Sequence, residues 1–148
     1  MEIKLRLQGF NNAVAASKRN PRELKRLQKK GLSRIAQIGI NIIQERTEDG
    51  IGYKDGAFKP YSGDLGSGTG YIAFRQRRGA TTKPNLFLTG KMLGSMTSKV
   101  KSHRSAEIFF ARASESKKAA FNNQTRPFFG FSRDEEKKLL KHFERFIK

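Results

Sequence analysis

A long amphipathic pattern near the N-terminus constrains the fold more than any other feature of this sequence. Over residues 20–46, apolar or small residues recur at spacings of three and four, which is the period of an α-helix. Asn20 can cap such a helix, and Pro21 suits its first position because a proline there loses no hydrogen bond. The sequence therefore predicts one long helix that buries one side against other elements. That side consists of Leu24, Leu27, Gly31, Leu32, Ile35, Ala36, Ile38, Gly39, Ile42 and Ile43.

Shorter patterns predict a sheet and a second helix. Residues 2–7 alternate between apolar and charged, which is typical of a half-buried strand near a sheet edge. Residues 97–101 and 107–111 are rich in strand formers and predict a hairpin. Ser132 and Glu135 have the spacing of a capping box that opens a C-terminal helix. The apolar face of that helix carries Leu139, Leu140, Phe143, Phe146 and Ile147.

Together these patterns predict an α+β fold in a single domain, residues 1–148. The long N-terminal amphipathic helix and the C-terminal helix pack on a small, mainly antiparallel sheet. A chain of this length can bury roughly 68–70% of its unfolded surface, which is enough for one core.

Residues 50–90 have a different character, because nine of the fourteen glycines lie there. Residues 62–70 are close to a linker in composition. We therefore expect a flexible loop or arm that becomes ordered on a partner. At its end, Thr89 is predicted to cap a short helix that reaches Met96.

The charge of the chain indicates an acidic partner. The sequence has 31 basic and 13 acidic residues and a net charge of +18. Nucleic acid and acidic protein surfaces both fit such a charge. One face of the long helix, the basic face, carries Arg22, Arg26, Lys29 and Lys30. It is either a solvated face or a surface that meets an acidic neighbour, and any DNA contact there is expected to be with phosphates.

A second basic segment mixes aromatic and charged residues. Residues 74–78 place Phe74 beside three arginines, a pattern that single-strand binders use to stack bases. We favour the interpretation that a core phenylalanine lies beside solvated arginines.

The sequence offers few groups for catalysis or metal binding. It has no cysteine, and neither His103 nor His142 lies in a metal-binding motif. The acidic residues 134–136 follow the capping serine and are better explained as favourable charge at a helix start. Residues 66–70 lack the Gly-Lys-Ser/Thr of a phosphate-binding loop. We expect a non-enzymatic protein without catalytic, cofactor-binding or metal-binding residues.

The sequence also predicts where the protein is made. The apolar runs are shorter than the roughly 18 residues of a membrane span, and residues 1–7 alternate instead of forming a signal-peptide core. We therefore expect a protein kept in a cytoplasm-like compartment, without a membrane partner.

Three segments in fixed order resemble a known family. They are residues 55–62, residues 85–96, and residues 126–136, which lead into the C-terminal helix. Together they are similar to the virion-morphogenesis, or tail-completion, family of tailed bacteriophages, in which a long helix precedes comparable elements. The resemblance depends on Phe58, Pro60, Tyr61, Leu88, Thr89, Gly90, Arg126, Pro127, Phe128 and Phe129, which it implies are structural or interface residues.

The resemblance implies a structural virion component that completes the tail or joins it to the head. Its expected partners are copies of itself in a hexameric ring, neighbouring neck, connector or tail-tube proteins, and the DNA in the channel. It would be assembled in the host bacterial cytoplasm and reside at the head–tail junction or tail. An exposed edge strand and a long arm would suit such ring building. A basic nucleic-acid-binding module without enzymatic activity remains the alternative.

Overall fold

The computed structural model describes residues 1–5, 7, 9–54 and 56–148, and it confirms the predicted α+β class. The described chain contains six helices and a three-stranded antiparallel sheet. In chain order the elements are β1 (Glu2–Leu5), α1 (Phe10–Ala15), α2 (Pro21–Glu48), α3 (Gly70–Arg77), α4 (Lys91–Gly94), β2 (Met96–Ser102), β3 (Ser105–Phe110), α5 (Ala113–Thr125) and α6 (Arg133–Ile147). Within these residues, no helix combines the length and the apolar character needed to cross a membrane.

Helix α2 is the long helix that the sequence predicts, and its caps are confirmed. The Asn20 side chain accepts a hydrogen bond from the Arg22 amide at 2.9 Å, and Pro21 is the first helical residue. The buried side differs from the prediction, because it also includes Gln28, Ile40 and Thr47, whereas Leu24, Leu27, Ile38 and Ile42 are only partly buried. Contacts with both the sheet and α6 spread the buried and partly buried residues around the helix, since a helix with two neighbours buries more of its circumference.

The sheet has the order β1-β3-β2, so β3 is central and the two outer strands are its edges. The predicted hairpin is confirmed as β2 and β3. The N-terminal strand is confirmed as an edge strand, although it ends at Leu5; Arg6, which the prediction included, lies outside the described residues. Along β3, Ala106, Ile108 and Phe110 are buried and alternate with less buried residues, so one face of the sheet packs on the core.

Helix α6 is capped and packed as predicted. The Ser132 hydroxyl accepts from the Glu135 amide at 3.2 Å, and the Glu135 carboxylate accepts from the Ser132 amide at 2.8 Å. Its residues Leu139, Phe143 and Ile147 are buried. A Cβ on Gly31 of α2 would lie only 3.0 Å from the Phe143 ring, so that glycine allows the two helices to approach closely.

A buried ion pair that the sequence did not predict joins the end of α2 to the start of α6. Arg46 Nη1 donates to both Glu135 carboxylate oxygens, at 2.7 and 2.6 Å. Its Nη2 donates to the carbonyls of Phe128 at 2.5 Å and Gly130 at 3.0 Å. The two charged side chains are only 10% and 16% exposed. Arg46 therefore holds three separate segments together.

Two expectations about local structure are wrong, and helix α5 lies where no element was predicted. Helix α5 buries only Glu115 and Ala119, so its sequence has no apolar period. Its other positions depend on the helix propensity of their residues. Helix α3 lies inside the region predicted as a loop without secondary structure. The N-cap of α4 is Gly90 instead of Thr89. The backbone there has a φ of 74°, a left-handed conformation that suits glycine and that a β-branched residue rarely adopts. Flexibility of residues 50–90 stays a prediction.

Candidate functional site

The three segments that carry the resemblance meet at one surface groove of about 960 Å³. We call it the apolar groove. Parts of residues 59–62 and 86–92 line it, together with Tyr71 and one side of α5. Six of the ten predicted site residues are at its wall: Pro60, Tyr61, Leu88, Thr89, Gly90 and Arg126. The sequence placed these residues in three unconnected stretches, and the fold brings them together.

Tyr61 is the centre of this arrangement. Its ring lies between two guanidinium groups, those of Arg75 and Arg126, each with its central carbon 4.7 Å from the ring centroid. The Tyr61 hydroxyl accepts from the Leu86 amide at 2.9 Å, and Tyr71 packs edge-on at 5.0 Å between ring centroids. Cation–π contacts of this kind contribute most when the groups are shielded from water. Tyr61 therefore ties the loop that precedes α4 to α3 and to the end of α5.

Arg126 fixes the backbone directly before Tyr61. Its Nε donates to the Lys59 carbonyl and its Nη2 to the Pro60 carbonyl, both at 2.8 Å. Because a guanidinium is planar and presents its donors in a fixed fork, two adjacent carbonyls hold it in one orientation. Arg126 thus has a structural role in the groove while one side of it lines the surface.

Arg75 corrects the interpretation of residues 74–78, because its side chain is fully buried and not solvated. Its Nε donates to the Thr81 carbonyl at 2.7 Å, and its Nη2 donates to Asn85 Oδ1 at 3.0 Å and to the Phe87 carbonyl at 2.8 Å. Its Nη1 has no hydrogen-bond partner, and no acidic side chain pairs with it, in the part of the chain that the structure describes. Arg75 holds residues 81–87 in place as a wall of the groove.

The glycines of residues 62–70 are needed for a close crossing of the backbone. A Cβ on Gly70 would overlap the backbone of Gly63, and a Cβ on Gly63 would lie 2.7 Å from the Gly70 Cα. Between them, an isolated bridge joins Asp64 to Thr69, and Asp64 Oδ1 accepts from the Gly66 amide at 2.9 Å. That amide and the Ser67 hydroxyl lower the pKa of Asp64. The linker-like composition therefore corresponds to a closed turn.

The remaining predicted site residues lie in the core or beside it. Phe58, Phe128 and Phe129 are buried, as expected for structural anchors. Asn123 Oδ1 accepts from the amides of both Phe128 and Phe129, each at 3.0 Å, and so fixes the turn between α5 and α6. Pro127 is half-buried in the same turn.

The basic face is exposed, as predicted for Arg22, Arg26, Lys29 and Lys30. The structure adds Lys25 of α2 and the turn between β2 and β3, which contributes His103 and Arg104. Together with α1 they form a cleft of about 450 Å³, the basic cleft, which Lys25, His103 and Arg104 line. Loss of contact with water, and then the charges of Arg104, Lys25 and Lys29, lower the pKa of His103. The cleft is therefore a region of positive potential.

Neither surface has the arrangement of a metal site. Among the residues that the structure describes, no three His, Asp or Glu side chains are close enough to hold a metal ion. What the two surfaces offer is binding: an apolar and aromatic groove, and a cleft surrounded by cations.

Comparison of the chain with known protein families, with curated proteins and with solved structures finds no match. Function must therefore be inferred from the residues of this chain and from their geometry.

Proposed function

We propose that this chain is a structural virion component of a tailed bacteriophage, which completes the tail or joins it to the head. It acts by assembling with copies of itself as a ring around the DNA channel. One observation supports the proposal: residues from the three segments on which the resemblance to the tail-completion family depends, far apart in sequence, line one surface groove beside α5.

The chemistry of the apolar groove suits a protein partner. Phe121 at its rim is 73% exposed, and Tyr71 is 38% exposed. Protein interfaces are enriched in aromatic residues, methionine and arginine, and Met92 and Arg126 complete that set here. A large exposed aromatic beside an apolar groove commonly marks an interaction site.

The sheet supplies a second means of assembly. Both outer strands, β1 and β2, are edges, and an edge strand presents unpaired amides and carbonyls to any chain that can add a strand. Ring assembly has to overcome the repulsion between copies that each carry a charge of +18. We therefore expect salt to favour the ring, because the Debye length falls from about 8 Å at physiological salt to about 3 Å at 1 M.

The test is the size of the nuclease-treated protein, measured by sedimentation velocity at those two salt concentrations, with electron microscopy of the same samples. Assembly predicts a closed oligomer without nucleic acid. Phe121→Asp is compared with Gln124→Asp, an exposed position on the same helix that does not line the groove. Loss of the ring in the first variant alone assigns the groove to the contact between copies. A ring retained in both variants assigns it to a neighbouring virion protein.

The alternative function is a nucleic-acid-binding module, which the exposed basic face favours. It predicts a monomer at both salt concentrations that changes in size only when DNA or RNA is added. That result would reject the ring.

A further inference from the structure

We propose that the basic cleft, together with the adjoining basic face of α2, is a binding site for the phosphate backbone of duplex DNA. This deepens the proposed function and rests on it only for the choice of duplex DNA as the polyanion. The site is a specific surface on two elements of the fold, distinct from the general positive charge of the chain.

The fold concentrates cations from two elements at this place. Lys25 and Lys29 are one turn apart on α2, and Arg22 and Arg26 are one turn apart on the neighbouring row. The turn between β2 and β3 adds Arg104 from a strand pair some eighty residues later in the chain. Among the residues that the structure describes, no aspartate or glutamate lines the cleft.

Acidic residues near these cations already have other partners. Glu23 pairs with Arg19 at 3.0 Å, and Glu107 pairs with Lys101 at 3.3 Å. In the described part of the chain, no ion pair involves any of the cations that form the proposed site. These cations are Arg22, Lys25, Arg26, Lys29, Lys30 and Arg104. Their charges therefore add. Loss of contact with water is the largest cause of the lowered pKa of His103, and the charges of Arg104, Lys25 and Lys29 lower it further.

The dimensions of the site match a phosphate backbone. From Arg22 to Lys29 the α-helix rises about 10 Å. A duplex carries one negative charge per roughly 3.4 Å of axis on each strand, so this length faces about three phosphates of one strand. The match requires no bending of the DNA.

The composition of the site favours phosphate over an acidic protein. Lysine is depleted at the centre of protein interfaces, whereas lysine and arginine dominate phosphate contacts. Three of the six cations are lysines, and the cleft beside them is also lined by apolar residues, among them Phe10, Val14 and Leu24. The exposed aromatic residues expected of a protein interface, Tyr71 and Phe121, lie instead at the apolar groove. The contacts expected of these cations are with phosphates, which carry no sequence information, so binding should not depend on DNA sequence.

The test measures binding of nuclease-treated protein to fluorescent duplexes of unrelated sequence, over a range of salt concentrations. The site variant is Lys25→Gln with Lys29→Gln and Arg104→Gln. The control variant, Lys138→Gln with Lys141→Gln and Arg145→Gln, removes the same charges from exposed positions on α6. Each lost phosphate contact reduces the slope of log K against log salt by about 0.9. The site variant should therefore lose about two to three units of slope and at least about tenfold in affinity, equally on all duplexes, while the control loses less than about one unit.

The imidazole of His103 gives a local readout that total charge does not affect. In NMR titrations of the wild-type chain, bound duplex should raise the pKa of His103, because phosphates offset the neighbouring cations. Circular dichroism checks that both triple variants remain folded, and the single variant Lys25→Gln replaces the triple if they do not.

Two results would overturn the proposal. Equal losses of slope in the two triple variants would mean that the DNA responds only to net charge. A rise in the pKa of His103 with poly-glutamate but not with duplex would assign the cleft to an acidic protein. Either result leaves the sizing experiment unaffected, so the site and the ring can fail separately.

Discussion

The buried ion pair between Arg46 and Glu135 gives the sharpest prediction for stability. Arg46→Met keeps most of the aliphatic volume but leaves the Glu135 carboxylate, within the described part of the chain, with only the Ser132 amide as a donor. It also removes the donors to the carbonyls of Phe128 and Gly130. Breaking a buried pair from one side costs about 3–5 kcal/mol, because the remaining charge stays out of water. At roughly 2–4 °C per kcal/mol, Tm should fall by about 6–20 °C.

The matched control compares Glu135 with Glu23, which also lies in the first turn of a helix. Glu23 pairs with Arg19, but both side chains are well exposed, so Glu23→Gln should cost at most about 1 kcal/mol. Glu135→Gln keeps the cap acceptor and loses the charge, and should cost roughly 1.5–3 kcal/mol. Urea denaturation at low and high salt measures all three variants. Equal losses for the two glutamates, or a loss below about 1 kcal/mol for Arg46→Met, would refute the claim that this pair joins the segments.

Four further outcomes are expected. Phe128→Ala should lower the free energy of unfolding by about 3–5 kcal/mol, since the ring is fully buried; a thermal melt unchanged from wild type would contradict this. Gly70→Ala should cost clearly more than Gly68→Ala in urea denaturation, because both have positive φ but only the first would overlap backbone, and equal costs would count against the close crossing. In an NMR titration His103 should have a pKa below 6.5, and 1 M salt should raise that pKa. Protonation of His103 therefore destabilises the fold as pH falls from 6.5 through the lower pKa. A measured pKa above 6.5 would contradict the direction of the shift. Hydrogen exchange should be fast in the exposed residues 64–69. It should be slower in α3, because Ala73 and Arg75 of that helix are buried. Strong protection of residues 64–69 would show that even the turn is rigid.

Elements with a strong local signal were predictable from the sequence. Helix α2 has a cap, a proline at its first position and a sustained 3.6-residue period, so its start is correct and its end differs by two residues. Helix α6 has a capping box and an apolar face. The hairpin has strand formers on both sides of a polar turn. In each case the local preference and the tertiary packing agree, so a local pattern is enough.

Elements that depend on tertiary contacts were not predictable. Arginine usually indicates surface, yet Arg75 is fully buried, and the carbonyls and ring that hold it come from residues 61–87. Glycine-rich sequence usually indicates a linker, yet Gly63 and Gly70 permit a backbone crossing that only the folded loop reveals. Helix α5 buries only Glu115 and Ala119, one of them charged, and so leaves no apolar period to detect.

The candidate site was predictable in its parts but not in its assembly. The sequence singled out Tyr61, Gly90 and Arg126 as members of separate motifs, and nothing in it places them at one groove. It also identified the basic face on α2, because charges at helical spacing are visible in the sequence. Arg104 could not be joined to that face, since its position depends on how the hairpin packs beside α2.

The two surfaces lie at opposite ends of the same scaffold. The apolar groove includes Met92 of α4, directly before β2, whereas the basic cleft includes His103 at the far end of the hairpin. A strand of this length spans about 20 Å. Helix α2 also connects the two surfaces. Lys25 lies at the cleft, and Gln44, about 28 Å from Lys25 along the helix, donates from its side chain to the Leu93 carbonyl of α4 at 3.0 Å. The proposed protein contact and the proposed phosphate contact therefore lie apart on the subunit and would not compete for space.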